Sequence, residues 1–470
     1  MSESDSEVEN ARAVVAQEVV ERGQTRLGKM VARALPRNGF GFNVVVLAGG
    51  MAISQGLLLV TSPLLTRLYT SSDFGYLQVY LSISVFFTVV ASLRYETAVL
   101  LPDDAEAAAN LVAFALCVTV VMFVLFSGAV WLLSRSGILG SYAAGLRPYL
   151  WLIPISACGS GAYQILNSWA LRNKAFRKAT LAKITQAASQ AVTQLTLGVM
   201  HAGVPGLLFG EALGRMGGSL RLARDAWKQN ADLFRRVRFG KMWSVAQRYK
   251  RFPLISSGSS LINTGGFALP ALLIGGWYGP FVLGWFALTD RVLAVPTALM
   301  GQSISSVYTA SAARLINSDP AGLRTFFLKT AWHCFLLGFV PFLGLALLGP
   351  TVFAFVFGEP WREAGYYAAM LSIPNMISFT AGSLMSTLNI LERQPLQLCW
   401  DICRMLVTCG VIYTAHAQNW SARWAIFFYG CSLAVGYICY LLLSYIAIGE
   451  LIHADKRNNL VACAVQDLPK

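Results

Sequence analysis

Twelve apolar stretches follow one another between Asn43 and about Gly449, and the cationic residues gather in alternate gaps between them. Arg67, Arg135, Arg147, Arg362 and Arg423 are the exceptions in the opposite gaps, and Arg291 lies inside a predicted span. Lys and Arg mark the cytoplasmic flanks of membrane-spanning helices. The pattern therefore fixes class and orientation together: a multi-pass membrane protein with both termini in the cytoplasm is expected. A 56% apolar and 13% charged composition does not suit a soluble globule of 470 residues. The net charge of +14 is spread over membrane-flanking loops, where anionic lipid heads account for it and nucleic acid is not needed. Met1 to Asn38 is acidic, then basic, with no apolar core, so no signal peptide is expected.

The expected spans are 43–66, 73–93, 108–133, 148–170, 180–200, 203–223, 253–278, 281–309, 324–348, 363–390, 395–415 and 420–449. Most reach the roughly 20 residues that cross about 30 Å of hydrocarbon, and helices are the default because backbone groups cannot stay unpaired in lipid. The chain then divides into a tail (1–42), a first six-helix lobe (43–223), a basic linker (224–252), a second lobe (253–449) and a second tail (450–470). Val14, Val15, Val19, Val20 and Leu27 suggest an amphipathic surface helix in the first tail. The linker mixes nine cations with Trp227, Phe234, Trp243 and Tyr249, as an interfacial helix does. Each lobe opens alike: Pro63-Leu64-Leu65 precedes Phe74-Gly75-Tyr76, and Pro270-Ala271-Leu272 precedes Phe281-Val282-Leu283-Gly284-Trp285. Six helices per half give both halves one orientation, hence a parallel repeat about an axis along the membrane normal.

No GxxxxGK[ST], HExxH or GxSxG motif occurs, and the external loops are short, so no enzyme is indicated. Cys399, Cys403 and Cys409 lack the His and acidic neighbours of a metal site; free thiols, no metal and no cofactor are expected. Ionisable groups inside the spans carry the functional signal, since a charge at a helix centre costs about 2.5–3.5 kcal/mol on insertion scales. Arg291, next to Asp290, lies about ten residues into its span, roughly 15 Å deep. It reads either as a cation facing a central cavity or as a charge neutralised by Asp290. Lys183, Gln186, Gln190 and Gln194 share one helical face with Thr193; amides there suit sugar hydroxyls or bridge helices. Gly206, Gly210, Gly214 and Gly218 form a small-residue stripe, read first as tight packing. Glu211 and Arg215, one turn apart, read as a structural pair. Asn263 and Gln302 are further polar groups at membrane depth, and with Arg291, Asp290, Lys183, Gln186, Gln190 and Gln194 they are expected to line a substrate-binding cavity. Arg94 and Glu96 close the second span and read as loop contacts or as gating residues that exchange partners.

Several runs resemble the polysaccharide translocase family, which includes the O-antigen and exopolysaccharide flippases of the multidrug/oligosaccharidyl-lipid/polysaccharide exporter superfamily. They are Arg94-Tyr95-Glu96 with Ala98-Val99-Leu100-Leu101-Pro102, Arg172-Asn173-Lys174-Ala175-Phe176-Arg177, and Arg251-Phe252-Pro253 through Asn263. Arg291-Val292-Leu293-Ala294-Val295-Pro296 with Gly301-Gln302, and Asn389-Ile390-Leu391-Glu392-Arg393-Gln394, complete the set. The resemblance implies a two-lobed, twelve-helix fold with a cationic cavity. It also implies alternating-access translocation of an undecaprenyl-pyrophosphate-linked oligosaccharide across a bacterial inner membrane. A polysaccharide polymerase and chain-length machinery are the further partners it implies. The family's cavity cation maps onto Arg291; Asp290 departs from the uncharged polar residue expected there. The alternatives within the superfamily are a peptidoglycan-precursor flippase and a cation-coupled drug exporter, and the latter needs intramembrane acids, of which Asp290 and Glu211 are prominent.

Overall fold

The computed structural model describes residues 40–135, 144–250 and 252–466, and among these every regular element is helical. The expected amphipathic tail helix lies outside the described residues. The chain divides into a unit at residues 1–49, described only from residue 40 as the start of a helix, and a unit at Gly50–Lys470.

The first six crossings are α1 (Phe40–Leu68), α2 (Ser71–Val90), α3 (Ala105–Arg135), α4 (Leu152–Arg172), α5 (Phe176–Val199) and α6 (Val204–Arg235). The helix at Ser257–Pro296 is two crossings, α7 (257–278) and α8 (280–296), broken at Gly279 with φ 87° and ψ 172°. A Cβ at such a φ is strained, so glycine fits this turn, and Pro280 starts the next helix without losing a needed donor. The remaining crossings are α9 (Pro320–Phe357), α10 (Arg362–Ser383), α11 (Gln394–Ala417) and α12 (Ala422–Gln466). Eight described stretches are long and apolar enough to cross a membrane, and one of them, Ser257–Ile316, contains the Gly279 break. Crossings α4, α5 and α6 match in length but carry polar stripes that lower their hydropathy. The fold is an all-α membrane protein of two six-helix lobes.

Local chemistry sets the ends. Thr70 caps α2 in a reciprocal box with Asp73: the Asp73 N–H donates to Thr70 Oγ1 at 3.3 Å and the Thr70 N–H to Asp73 Oδ2 at 2.8 Å. Asp319 accepts the Gly322 N–H at 2.8 Å and precedes Pro320 at the start of α9. Two expected boundaries move. The linker begins as an extension of α6 to Arg235, kinked at Asn230, and only Phe239–Arg248 is a separate helix. The last helix runs to Gln466, well past residue 449. Pro296 leads into a π turn, Thr297–Gly301, that continues as Gln302–Ser318.

The repeat is written in the turns. Left-handed residues stand at Lys174 and Glu392, just before α5 and α11, and at His201 and Asn419, just after them. Each second residue lies 218 positions after the first. Alpha-2 and α8 then cross reciprocally. An ideal Cβ on Gly75 would lie 2.0 Å from the Pro280 carbonyl oxygen, and one on Gly284 would lie 1.7 Å from that of Ser71. Each glycine faces the carbonyl four residues before the other, as a two-fold axis between the helices requires. No side chain fits at either place, and the two halves pack backbone to backbone at this crossing.

Candidate functional site

Just beyond that crossing lies a cavity of about 520 Å³, lined by α1, α2, α4, α5, α6 and α8. Along α2 its lining runs from Phe74 to Thr88, about 20 Å at 1.5 Å per residue. Of the residues singled out in the sequence, it brings together Asp290, Arg291, Lys183, Gln186 and Gln190.

The glycine stripe builds its floor. Ideal Cβ atoms on Gly210, Gly214 and Gly218 would meet Gln194 Cγ at 2.3 Å, Gln190 Cβ at 2.8 Å and Gln186 Cβ at 3.2 Å. Alpha-6 thus presses its bare backbone onto the glutamine stems of α5 and fixes where their heads project. The Gln190 amide donates to Glu211 Oε2 at 2.6 Å. Arg215 Nε donates to Glu211 Oε1 at 2.8 Å, and its Nη1 donates to Ser160 Oγ at 2.7 Å. Glu211 and Arg215 therefore neutralise each other, as the sequence suggests, but they do so in the cavity wall.

The other two cations are different. Among the described residues Lys183 donates only to Gln186 Oε1, at 3.3 Å, and lies 5.5 Å from the Tyr163 ring centroid. Arg291 Nη2 donates, among the described residues, only to the Leu58 carbonyl, at 3.3 Å. Among the described residues no carboxylate reaches either one within ion-pair distance, and Asp290 does not neutralise Arg291. Asp290 stands exposed in the lining. The wall thus carries three cations against two acids, with Lys183 on the first half and Arg291 on the second.

Three expected site residues lie elsewhere. Gln194 is buried and donates to the Leu207 carbonyl at 3.1 Å, one turn beyond the cavity, where α5 and α6 are closest. Asn263 donates to Asp401 Oδ1 at 3.0 Å inside the second half. Gln302 is exposed past the π turn and does not line the cavity. Arg94 and Glu96 also lie outside the lining; they pair with each other at 3.3 Å, Glu96 accepts from Ser92 Oγ, and Tyr95 donates to the Ala246 carbonyl at 3.3 Å.

Gln55, Gln78 and Gln164 join Gln186 and Gln190 in the lining. Arg404 on α11 carries the same signal as Arg291, an Arg ten residues into an apolar span. Its guanidinium is buried, 3.5 Å from Asp401 Oδ1 and 4.3 Å from the Phe267 ring centroid, with Nε and Nη1 unbonded. Among the described residues the cysteines are free thiols and no group of His, Cys, Asp or Glu could hold a metal.

Comparison with known proteins gives a consistent picture. The family model described as polysaccharide biosynthesis protein matches residues 64–365. The succinoglycan biosynthesis transport protein ExoT of Rhizobium meliloti (strain 1021) is 23% identical over 391 residues, covering 81% of this chain and 74% of that protein. The lipid II flippase MurJ in an inward closed conformation superposes with a TM-score of 0.69 at 10% identity, covering 91% of this chain and 94% of that one. An inward-facing multidrug resistance MATE family transporter gives 0.62 at 17% identity, covering 89% and 97%. At these identities the two structures establish the fold alone.

Proposed function

Because the chain belongs to the polysaccharide biosynthesis protein family, we propose that it is a flippase for a polyprenyl-diphosphate-linked oligosaccharide, working by alternating access in a bacterial inner membrane. Both termini are cytoplasmic in this reading, which rests on the alternate-gap cations. The α2–α8 crossing then closes the external side, and the cavity faces the cytoplasm.

The observation that carries the proposal is the composition of one wall: two cations without acid partners beside five glutamine amides. A diphosphate and its sugars cannot enter hydrocarbon without losing their water, at several kcal/mol per unpaired polar group. A wet groove between the halves spares them that cost while the polyprenyl chain stays in lipid. Lys183 and Arg291 hold the diphosphate, one from each half. The glutamines meet sugar hydroxyls as donors and acceptors at once. Such a lining is poorly matched to a lipophilic drug. The volume lies in the range of about 300–1,000 Å³ of a pocket for one small ligand, so a long repeat unit projects beyond it. Arg94 and Glu96, paired in this state, are the candidate cytoplasmic gate.

The partners of this reading are the lipid-linked oligosaccharide, and downstream the polymerase that consumes it. A deletion strain should accumulate lipid-linked repeat units on the cytoplasmic face and lose surface glycan. Normal surface glycan in that strain would refute the assignment.

A further inference from the structure

Asp290 has no counterpart in a simple anion-binding wall. It is exposed in the cavity lining, beside the cation proposed to hold the diphosphate. Among the described residues nothing bonds to its carboxylate. Consecutive helical residues point about 100° apart, so Arg291 and Asp290 address neighbouring, not identical, parts of one ligand. An ionisable side chain at membrane depth that faces a water-filled cavity marks the path of a substrate. With no protein partner among the described residues, the Asp290 carboxylate is free to meet a ligand in the cavity.

We propose that Asp290 is a specificity-determining residue that accepts hydrogen bonds from hydroxyls of the sugar next to the diphosphate and rejects an acidic sugar at that position. This rests on the reading of the cavity as a lipid-diphosphate site. A carboxylate offers only acceptors, about four lone-pair sites on two oxygens, which matches a pair of adjacent sugar hydroxyls. The bonds are charge-assisted and roughly twice as strong as neutral ones. The five glutamines complete a wall suited to uncharged hydroxyls. A uronic acid there would set a second carboxylate against Asp290, and like charges placed against each other reject a wrong partner strongly. The cargo class is thus a neutral, hydroxyl-rich first sugar behind a diphosphate.

The test uses full-length protein in nanodiscs and two synthetic probes that differ at one carbon: farnesyl-diphosphate-linked glucose and farnesyl-diphosphate-linked glucuronic acid. Wild type should bind the glucose compound tighter by about tenfold or more. Asp290→Asn, nearly the same size, should bring the two affinities within about twofold, chiefly by admitting the acid. Asp290→Glu should keep the preference. Arg291→Ala should weaken both probes together and leave their ratio unchanged. Equal affinities in wild type, or an unchanged ratio in Asp290→Asn, would overturn the role of Asp290 and leave the diphosphate site standing. Because the wild-type ratio is itself decisive, a poorly folding variant does not shield the claim. Wild type that binds neither probe would remove the cargo assignment and this inference together.

Discussion

Alpha-5 and α11 occupy equivalent places in the two halves, and the same three positions on each are polar. Lys183, Gln186 and Gln190 become Asp401, Arg404 and Thr408 after the 218-residue offset of the flanking turns. Even the packing partner repeats: Gln186 lies against Gly218 of α6, and Arg404 lies against Gly436 of α12. Yet the first stripe lines an open cavity and the second is dry. Phe267 covers the Arg404 guanidinium, Trp400 flanks it at 5.1 Å, and Asn263 and Asp401 complete a closed polar knot. A helical stripe states which residues share a face; the neighbours decide whether that face meets water. The halves share a scaffold, and only the α5 stripe of this pair lines the cavity.

The largest effect that sharpens this contrast is on stability. Arg404→Ala strands the buried Asp401 carboxylate and should cost about 3–5 kcal/mol, read by denaturant unfolding in detergent. Pairing Asp401→Asn with Arg404→Met should recover most of it, because a buried ion pair is replaceable by well-packed apolar volume. Lys183→Ala, at the matching place on α5, should stay within about 1 kcal/mol. Equal losses for Arg404→Ala and Lys183→Ala would erase the distinction between a wet stripe and a dry one.

Next come the glycines beneath the stripes. Gly214→Ala drives its new methyl to within 2.8 Å of Gln190 Cβ, and overpacking of this kind costs about 1–3 kcal/mol. Gly436→Ala meets only Arg404 Cγ at 3.6 Å, ordinary contact, and should be nearly neutral in the same melt. A smaller effect still is expected for Gln186→Ala, which removes an amide proposed to bond the sugar and should weaken binding by about 0.5–1.5 kcal/mol with unfolding unchanged.

The smallest lies at the membrane surface. The N–H groups of Ala107 and Glu106 at the start of α3 hold the Asp104 carboxyl below the usual carboxylate range. A lowered folded value means that the contribution is present above the unfolded pKa and fades as pH falls through the folded one. The group is fully exposed, so the acid limb should be slight. Asp104→Asn should remove it, as measured by melting temperature against pH.

Much of the fold was legible because lipid leaves helices as the solution and the cation pattern counts the crossings. The site was legible only in part. Arg291, Asp290, Lys183, Gln186 and Gln190 announce themselves as polar groups in apolar spans, and all five line the cavity. Gln194 shares their face but lies a turn too far along it, where the gap between α5 and α6 closes. Asn263 was assigned to the cavity because periodicity does not reveal that α11 offers it Asp401. Glu211 and Arg215 read as a structural pair, and their pairing is right; their place in the wall depends on how α6 turns toward α2 and α4. Which helix faces which is tertiary information, carried by contacts such as Gly75 with Pro280 that no single span contains.

The most direct measurement is the affinity of the full-length protein in nanodiscs for a polyprenyl-diphosphate monosaccharide, compared across Arg291→Ala, Arg291→Lys and Gln302→Ala. Loss of a charge-assisted contact of about 1.5–3 kcal/mol should lower the affinity of Arg291→Ala tenfold or more, with Arg291→Lys partly restoring it and Gln302→Ala matching wild type. An Arg291→Ala protein that binds as tightly as wild type would contradict the account.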